Sequence, residues 1–283
     1  MSINIRPGDM PELRAELVEQ LRRPAVMRRM WPEGVQPDEA GKRLEADLIR
    51  LTATATLFHV SEEMAALAAE ASESLEKFAL QAEDVPCRDG LIVFDGEAPL
   101  EAPYDDGCKN ELRGIAWYSD GGSVLAMPVV LPHGDLGKGG RVALDPGGCF
   151  LARYGAKVEE LLTPAGGPAF DVFGMLLTVW LLMMQPLVQM TTVEPDRAAR
   201  KRLRRLAAEA APVRVVELRR RKADGAPGDG SREFHHQWIV RGHWRQQWHP
   251  KREVHRPVWI APHVKGPEGA PLIGGEKVYA WKR

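Results

Sequence analysis

The residues best suited to chemistry are concentrated between positions 234 and 263. That stretch holds six of the eight histidines and four of the eight tryptophans, interspersed with five arginine and lysine residues. Imidazole exchanges protons near neutral pH, guanidinium groups bind phosphate, and indole rings provide surfaces on which nucleobases stack. The mixture predicts a surface that faces an anion, without specifying a reaction.

Nucleic-acid binding is the first function that these residue types support. Bases would stack on the aromatic rings, at roughly 1–3 kcal/mol per base, while Arg241, Arg245 and Arg256 follow the phosphates. We expect this function from the basic part of the chain, with RNA or DNA as the partner.

An RNase-like enzyme is the second candidate. In metal-independent RNA cleavage one histidine takes the 2′-hydroxyl proton, another protonates the leaving oxygen, and arginine stabilises the charge of the phosphorane. His235 and His243 would be the catalytic pair, and Arg241 and Arg245 would be the cationic groups. The sequence leaves this alternative open.

Zinc binding is a third chemistry that histidines support. The histidines at 236, 243, 249, 255 and 263 are separated by six, five, five and seven residues. These intervals match no compact zinc-ligand pattern. No metal and no cofactor are therefore expected.

The element that must position these groups is an extended strand over residues 234–245, in which successive side chains alternate between two faces. The face expected in the core carries Phe234, His236, Trp238, Val240 and Trp244. The face expected to be exposed carries His235, Gln237, Ile239, Arg241, His243 and Arg245. A further strand, EVHRPVWIA, would pair with the first in a small sheet or partly open barrel.

A basic helix is predicted at EPDRAARKRLRRLAAEA, where Pro195 suits the first helical position. On a helical wheel five cations share one face: Arg197, Arg200, Lys201, Arg204 and Arg205. The opposite, apolar face carries Ala199, Leu203, Leu206 and Ala210. Because like charges at these spacings repel, an anionic partner such as a phosphate backbone would stabilise the helix.

Charge is divided unevenly along the chain. Residues 197–283 hold 21 of the 38 Lys and Arg residues and 8 of the 39 Asp and Glu residues, which gives a net charge of +13 there and −14 in the remainder. A polyanionic partner for the basic part is one explanation. The alternative is that the acidic part attracts the basic surface and covers it.

Upstream, the sequence predicts an acidic α+β region over residues 1–193. Leucine and alanine stripes indicate helices within 10–80, the second of them over 38–59, and short apolar runs indicate a small antiparallel sheet within 91–145. Helices are expected within 150–190, first over 150–162 and then in a buried Met-rich run, VFGMLLTVWLLMM. Residues 194–283 would add the basic helix and a β-rich C-terminal module.

The predicted class is therefore α+β. The N-terminal helices would also offer a homodimer surface, since their leucine stripes recur at helical spacing. A protein–protein interaction module with dimerising N-terminal helices is thus a third candidate function.

The last quarter of the chain resembles a recurrent C-terminal module of uncharacterised proteins from bacterial and mobile-element genomes. The residues that carry the resemblance are Gly242-His243-Trp244-Arg245, Gln247, Trp248, Pro250, His255-Arg256, Trp259-Ile260, Pro262 and Lys265-Gly266-Pro267. The resemblance implies a role in regulation, replication or defence of a mobile element and supplies no activity. Typical members have an aromatic residue where His249 stands, so this histidine is not expected to be essential.

A soluble cytoplasmic protein is expected. No run reaches the roughly 20 apolar residues that a bilayer requires, and the N-terminus has no basic-then-apolar leader. The three cysteines are widely spaced, which suits free thiols in a reducing compartment. No membrane partner is predicted.

Overall fold

The computed structural model describes residues 4–29, 36–75, 80–103, 109–131, 136–137, 141–142, 145–146, 150–153, 169–219, 236–250, 253–267 and 271. Helices and strands are both abundant, which confirms the α+β class. The chain forms two compact units, Met1–Arg219 and Arg220–Arg283. The basic helix belongs to the first unit, whereas the sequence suggests a boundary at 193/194.

The secondary structure of the described residues is as follows. The helices are α1 (Met10–Leu21), α2 (Pro24–Arg29), α3 (Glu39–Thr54), α4 (Glu62–Glu73), α5 (Ala169–Met183) and α6 (Arg197–Arg205), with 3-10 turns at Pro7–Asp9 and Ala82–Asp84. The strands of the first unit are β1 (Thr56–Val60), β2 (Asp89–Phe94), β3 (Glu101–Pro103), β4 (Lys109–Ser119), β5 (Ser123–Leu131), β6 (Leu136–Gly137), β7 (Arg141–Val142), β8 (Asp145–Pro146), β9 (Phe150–Arg153), β10 (Val188–Val193) and β11 (Val213–Leu218). The strands of the second unit are β12 (Trp238–Val240), β13 (His243–His249), β14 (Val254–Ile260) and β15 (His263–Lys265).

One large mixed sheet forms the centre of the first unit. Its strand order is β10-β11-β1-β2-β4-β5-β8, with β3 paired to β4 and β9 paired to β5. Strand β1 runs parallel to both of its neighbours, β11 and β2. The strands within the predicted 91–145 region pair antiparallel, as the sequence predicts, but β1, β10 and β11 extend them into a larger, mixed sheet that takes strands from both sides of the 193/194 position.

Helix α1 covers one face of this sheet. Leu13 and Leu17 of α1 belong to the same buried cluster as Leu57 of β1, Leu91 of β2 and Val213 of β11. The apolar stripe of α1 thus packs within the unit, although the sequence makes it part of a dimer surface.

Helix α5 covers the other face. The ring of Trp180 meets that of Trp117 in β4 edge-on, with centroids 5.2 Å apart, and Trp117 lies 5.6 Å from Phe58 of β1. Side chains 172–183 are all buried, which confirms the predicted Met-rich core helix. Over the described ranges, no helix combines the length and the apolar character needed to cross a membrane.

The helix predicted over 38–59 is too long. Helix α3 ends at Thr54, and the chain continues as β1, which lies between two other strands and is buried on both faces. A strand of this kind has no polar alternation, so its apolar residues extend the leucine pattern of α3. His59, expected at a helix end, lies in this strand with Nε2 2.5 Å from the carbonyl oxygen of Ile5.

The helix predicted over 150–162 is also wrong at its start. Residues Phe150–Arg153 are extended and pair antiparallel with Ser123–Ala126 of β5. Residues 154–162 lie outside the described ranges. Pairing with a strand that precedes it has overridden the local helical pattern.

Gly114 of β4 lies where the register between β4 and β5 shifts. A Cβ at this position would lie 2.4 Å from the carbonyl oxygen of Ile92. We expect Gly114→Ala to lower the free energy of unfolding by about 1–3 kcal/mol in urea titrations, because backbone must move to admit the methyl group.

Gly174→Ala is the matched control. A Cβ there meets nothing within 4 Å, and alanine suits the interior of a helix better than glycine by about 1 kcal/mol. This variant should be as stable as the natural protein or more so. Equal losses of stability in the two variants would contradict the explanation that Gly114 is required by its contact with the carbonyl oxygen of Ile92.

Candidate nucleic-acid interface

Helix α6 begins with a side-chain cap. Asp196 accepts a hydrogen bond from the backbone N–H of Ala199 at 2.6 Å, which satisfies one of the free donors of the first turn. Pro195 therefore lies just before the helix and not at its first position. The helix ends at Arg205, and Ala207 has a positive φ of 49°.

One side of α6 attaches it to α1. Leu203 is fully buried, and the Arg202 guanidinium donates from Nε to Oε1 of Glu12 at 2.5 Å. The buried Arg14 of α1 donates to the backbone carbonyl of Glu209, beyond the end of α6, at 3.1 Å. These contacts determine which side of α6 faces solvent.

The opposite side of α6 is the cationic face, formed by Arg197, Arg200, Lys201, Arg204 and Arg205. All five side chains are exposed, as predicted. Within the described ranges only Arg200 of this set has an ion pair, with Glu194 at 3.7 Å. Among the described acidic residues, Glu194 is thus the one that forms an ion pair with the cationic face.

Leu206 departs from the prediction that it shares the buried face with Leu203. Its side chain is 49% exposed because the helix has ended and Leu206 is the C-cap residue. The wheel correctly assigns residues inside the helix and fails where the backbone leaves helical geometry.

In the second unit, the strand predicted over 234–245 is interrupted. Strand β12 pairs with β15, whereas β13 pairs with β14, and Arg241 and Gly242 connect the two pairs. A Cβ at Gly242 would lie 2.3 Å from the ring of Trp259. The chain thus changes partner at a glycine over which an indole ring packs.

The antiparallel register divides the β13–β14 hairpin into two faces. On the first, here called the tryptophan face, Trp244 lies opposite Trp259 and Trp248 lies opposite His255. The Trp244 and Trp259 rings are buried and meet edge-on with centroids 5.3 Å apart. Trp248 is 44% exposed, with its ring 4.9 Å from that of His255. The inner ring pair holds the hairpin, and the outer pair is open to a ligand.

The second face, here called the arginine face, carries the predicted polar residues. His243 and Arg245 are exposed, and Arg256 is half-buried. The guanidinium of Arg245 donates to Oε1 of Gln247 at 2.8 Å, and Nδ1 of His243 lies 3.1 Å from the carbonyl oxygen of Arg241. These groups can meet an anion without unfolding any described element.

The structure defines the surroundings of the other predicted residues less fully. His235 lies outside the described ranges, so the geometry of the predicted catalytic pair with His243 is not defined. His236 and Trp238, expected in the core, are half-buried with their rings 5.8 Å apart. Across the part of the chain that the structure describes, no group of three or more His, Cys, Asp or Glu side chains could hold a metal ion.

The predicted alternation stops at Arg245 and so misses the exposed ring of Trp248. Continuing the period-two pattern through β13 would have placed Trp248 on the same side as Trp244. The turn at Glu253, which has a positive φ of 52°, returns the chain so that His255 lies opposite Trp248. No local signal in the sequence identifies that partner.

Substitution of Leu203 tests the docking of α6. Leu203→Ala should destabilise the helix by about 2–4 kcal/mol, because it leaves a cavity against α1. Leu206→Ala, the matched change at an exposed position, should lower stability by less than about 1 kcal/mol. Urea titration and amide hydrogen exchange over 197–206 measure both effects; equal sensitivity at the two leucines would contradict the described orientation.

No protein-family model matches the chain, and the curated proteins give no match. Among solved structures the chain is similar to AcrVA2, with a TM-score of 0.43 and 14% sequence identity, over 87% of this chain and 85% of that one. A TM-score and identity of this size carry no inference about function.

Proposed function

We propose that the chain binds nucleic acid, with the cationic face of α6 contacting phosphates. The observation that carries the proposal is the exposure of five cations on one side of a nine-residue helix, only one of them in an ion pair among the described residues. At a rise of 1.5 Å per residue these charges lie along about 12 Å of the helix. A polyanion would relieve their mutual repulsion and release its own counterions.

The hairpin of the second unit supports single-stranded nucleic acid as the ligand. An exposed indole ring can stack on an unpaired base, whereas the bases of a duplex are already stacked on each other. Trp248 offers such a ring, and Arg245 and Arg256 offer cations on the opposite face of the same hairpin. Each unit thus provides its own binding element, one for phosphates and one for bases and phosphates.

The electrostatic element is tested by salt dependence. The triple variant Arg200→Gln, Arg204→Gln, Arg205→Gln should bind an unstructured RNA or DNA oligonucleotide more weakly. The slope of log K against log salt should fall by about two to three, since each phosphate contact contributes about 0.7–0.9. Fluorescence anisotropy at several salt concentrations measures the slope.

A second triple variant controls for net charge. Arg22→Gln, Lys42→Gln, Arg50→Gln removes the same charge from cations that are exposed and already paired with a carboxylate three residues earlier. Its slope should match that of the natural protein. The proposal fails if the natural protein shows no binding at low salt, or if both triple variants change the slope equally.

The base-stacking element is tested at Trp248. Trp248→Ala should weaken binding of a single-stranded oligonucleotide by about 1–3 kcal/mol with little change in the salt slope, because it removes a ring and no charge. Trp248→Phe should retain most of the affinity. Equal losses for single-stranded and duplex ligands, or no loss at all, would exclude Trp248 as a base-binding group.

A further inference from the structure

Strand β10 lies at the end of the large sheet and is open to solvent. It pairs with β11 on one side, and within the described ranges no strand pairs with its other side. Every side chain from Gln189 to Val193 is exposed, on both faces of the strand. The sequence of β10, VQMTTV, contains no charge, proline or glycine.

Such an edge is unusual because free backbone groups promote pairing with another chain. Natural edge strands are commonly protected by charged side chains, proline or a bulge. Here the exposed positions hold uncharged residues: Gln189, Met190, Thr191, Thr192 and Val193. In the described part of the first unit the large apolar side chains that are exposed are Met184, Met190, Val193 and Leu206, and two of them, Met190 and Val193, belong to β10.

The hydrogen bonds of β10 indicate which backbone groups are free. The N–H of Arg219 donates to the carbonyl of Leu187 at 2.8 Å, so residue 187 and every second residue after it face β11. The intervening residues point their backbone groups away from β11. The N–H of Val188 donates a hydrogen bond to the carbonyl of Gln185. In the described structure this leaves the N–H and C=O groups of Met190 and Thr192 directed outward.

We propose that β10 pairs antiparallel with β10 of a second copy of this chain, about a two-fold axis at Thr191. In this register Met190 of each copy lies opposite Thr192 of the other. The outward N–H and C=O groups of both residues are then satisfied by four backbone hydrogen bonds across the interface. Thr191 faces Thr191 of the second copy in a non-hydrogen-bonded pair, and no like charges are opposed along the strand.

A second copy fits this edge because the strand is complementary to itself. The two residues with free groups are separated by one residue, so rotation about Thr191 exchanges them. Pro195 lies close beyond the strand and limits the pairing to this short segment. The inference does not depend on nucleic-acid binding.

The symmetry has a consequence for the cationic faces. An axis that joins two strands into one continuous sheet runs perpendicular to the sheet, so both copies keep α1 and the attached α6 on the same side. The dimer would therefore present both cationic faces on one side of the joined sheet, doubling the charge available to an extended polyanion.

Sedimentation equilibrium of the full chain tests the interface. The natural protein should be dimeric, and Thr192→Pro should shift it to monomer, because proline removes an outward N–H without removing a bond to β11. Thr192→Ala keeps the N–H and should remain dimeric. Thermal unfolding of the proline variant verifies that it is folded. A monomeric natural protein, or a dimer unaffected by Thr192→Pro in a folded protein, would overturn the proposal.

Disulfide trapping tests the register without a destabilising change. Opposed Cα atoms in a non-hydrogen-bonded pair are about 4.5 Å apart, within the range that a disulfide spans. Under mild oxidation Thr191→Cys should link two copies, with the bond located by peptide mass mapping. Gln189→Cys should not, because in this register its two copies are about 14 Å apart. Linkage at 189 and not at 191 would exclude the proposed axis.

Discussion

The parallel pairing of β1 with β11 is the interaction on which the rest of the first unit depends. It brings residues 57–60 and 213–216 together inside the sheet, with Leu57 opposite Val213. The chain between β1 and β11 must therefore return to the side of β1 that faces away from β2. There β10 lies on the outer side of β11, and α6 lies against α1. Loop closure over so long a segment is entropically unfavourable, and the buried faces of β1 and β11 provide the compensating apolar contact.

That arrangement also decides how the two charge-biased parts of the sequence meet. The inner side of α6 meets the acidic part of the chain through Arg202 and the largely buried Glu12. The outer side keeps its charges in water, where an isolated ion pair such as Arg200 with Glu194 contributes little. Helix α6 therefore packs into the first unit while, among the described acidic residues, only Glu194 pairs with the cationic face.

Local periodicity was sufficient to predict α5, the two sides of α6 and the exposed positions of Arg245 and His243, because each depends on neighbours within a turn or a strand. Local periodicity failed where residues that are distant in the sequence determine the structure. Strand β1 is buried by β2 and β11, so it lacks the alternation that distinguishes a strand from the end of α3. The break at Gly242 is set by the ring of Trp259, which the local pattern does not reveal.

Several residues of the C-terminal module can be assigned a physical role. Gly242 admits the Trp259 ring, and Trp244 packs against it. Gly266 has a φ of +120°, and a Cβ there would lie 2.4 Å from the carbonyl oxygen of His236. These residues are explained by packing and backbone geometry, at the β13–β14 hairpin for Gly242 and Trp244 and beside the β12–β15 pair for Gly266. If the hairpin binds nucleic acid as proposed, specificity must lie in the side chains that the scaffold leaves exposed, and the ring of Trp248 beside His255 is the largest apolar group among them on the hairpin.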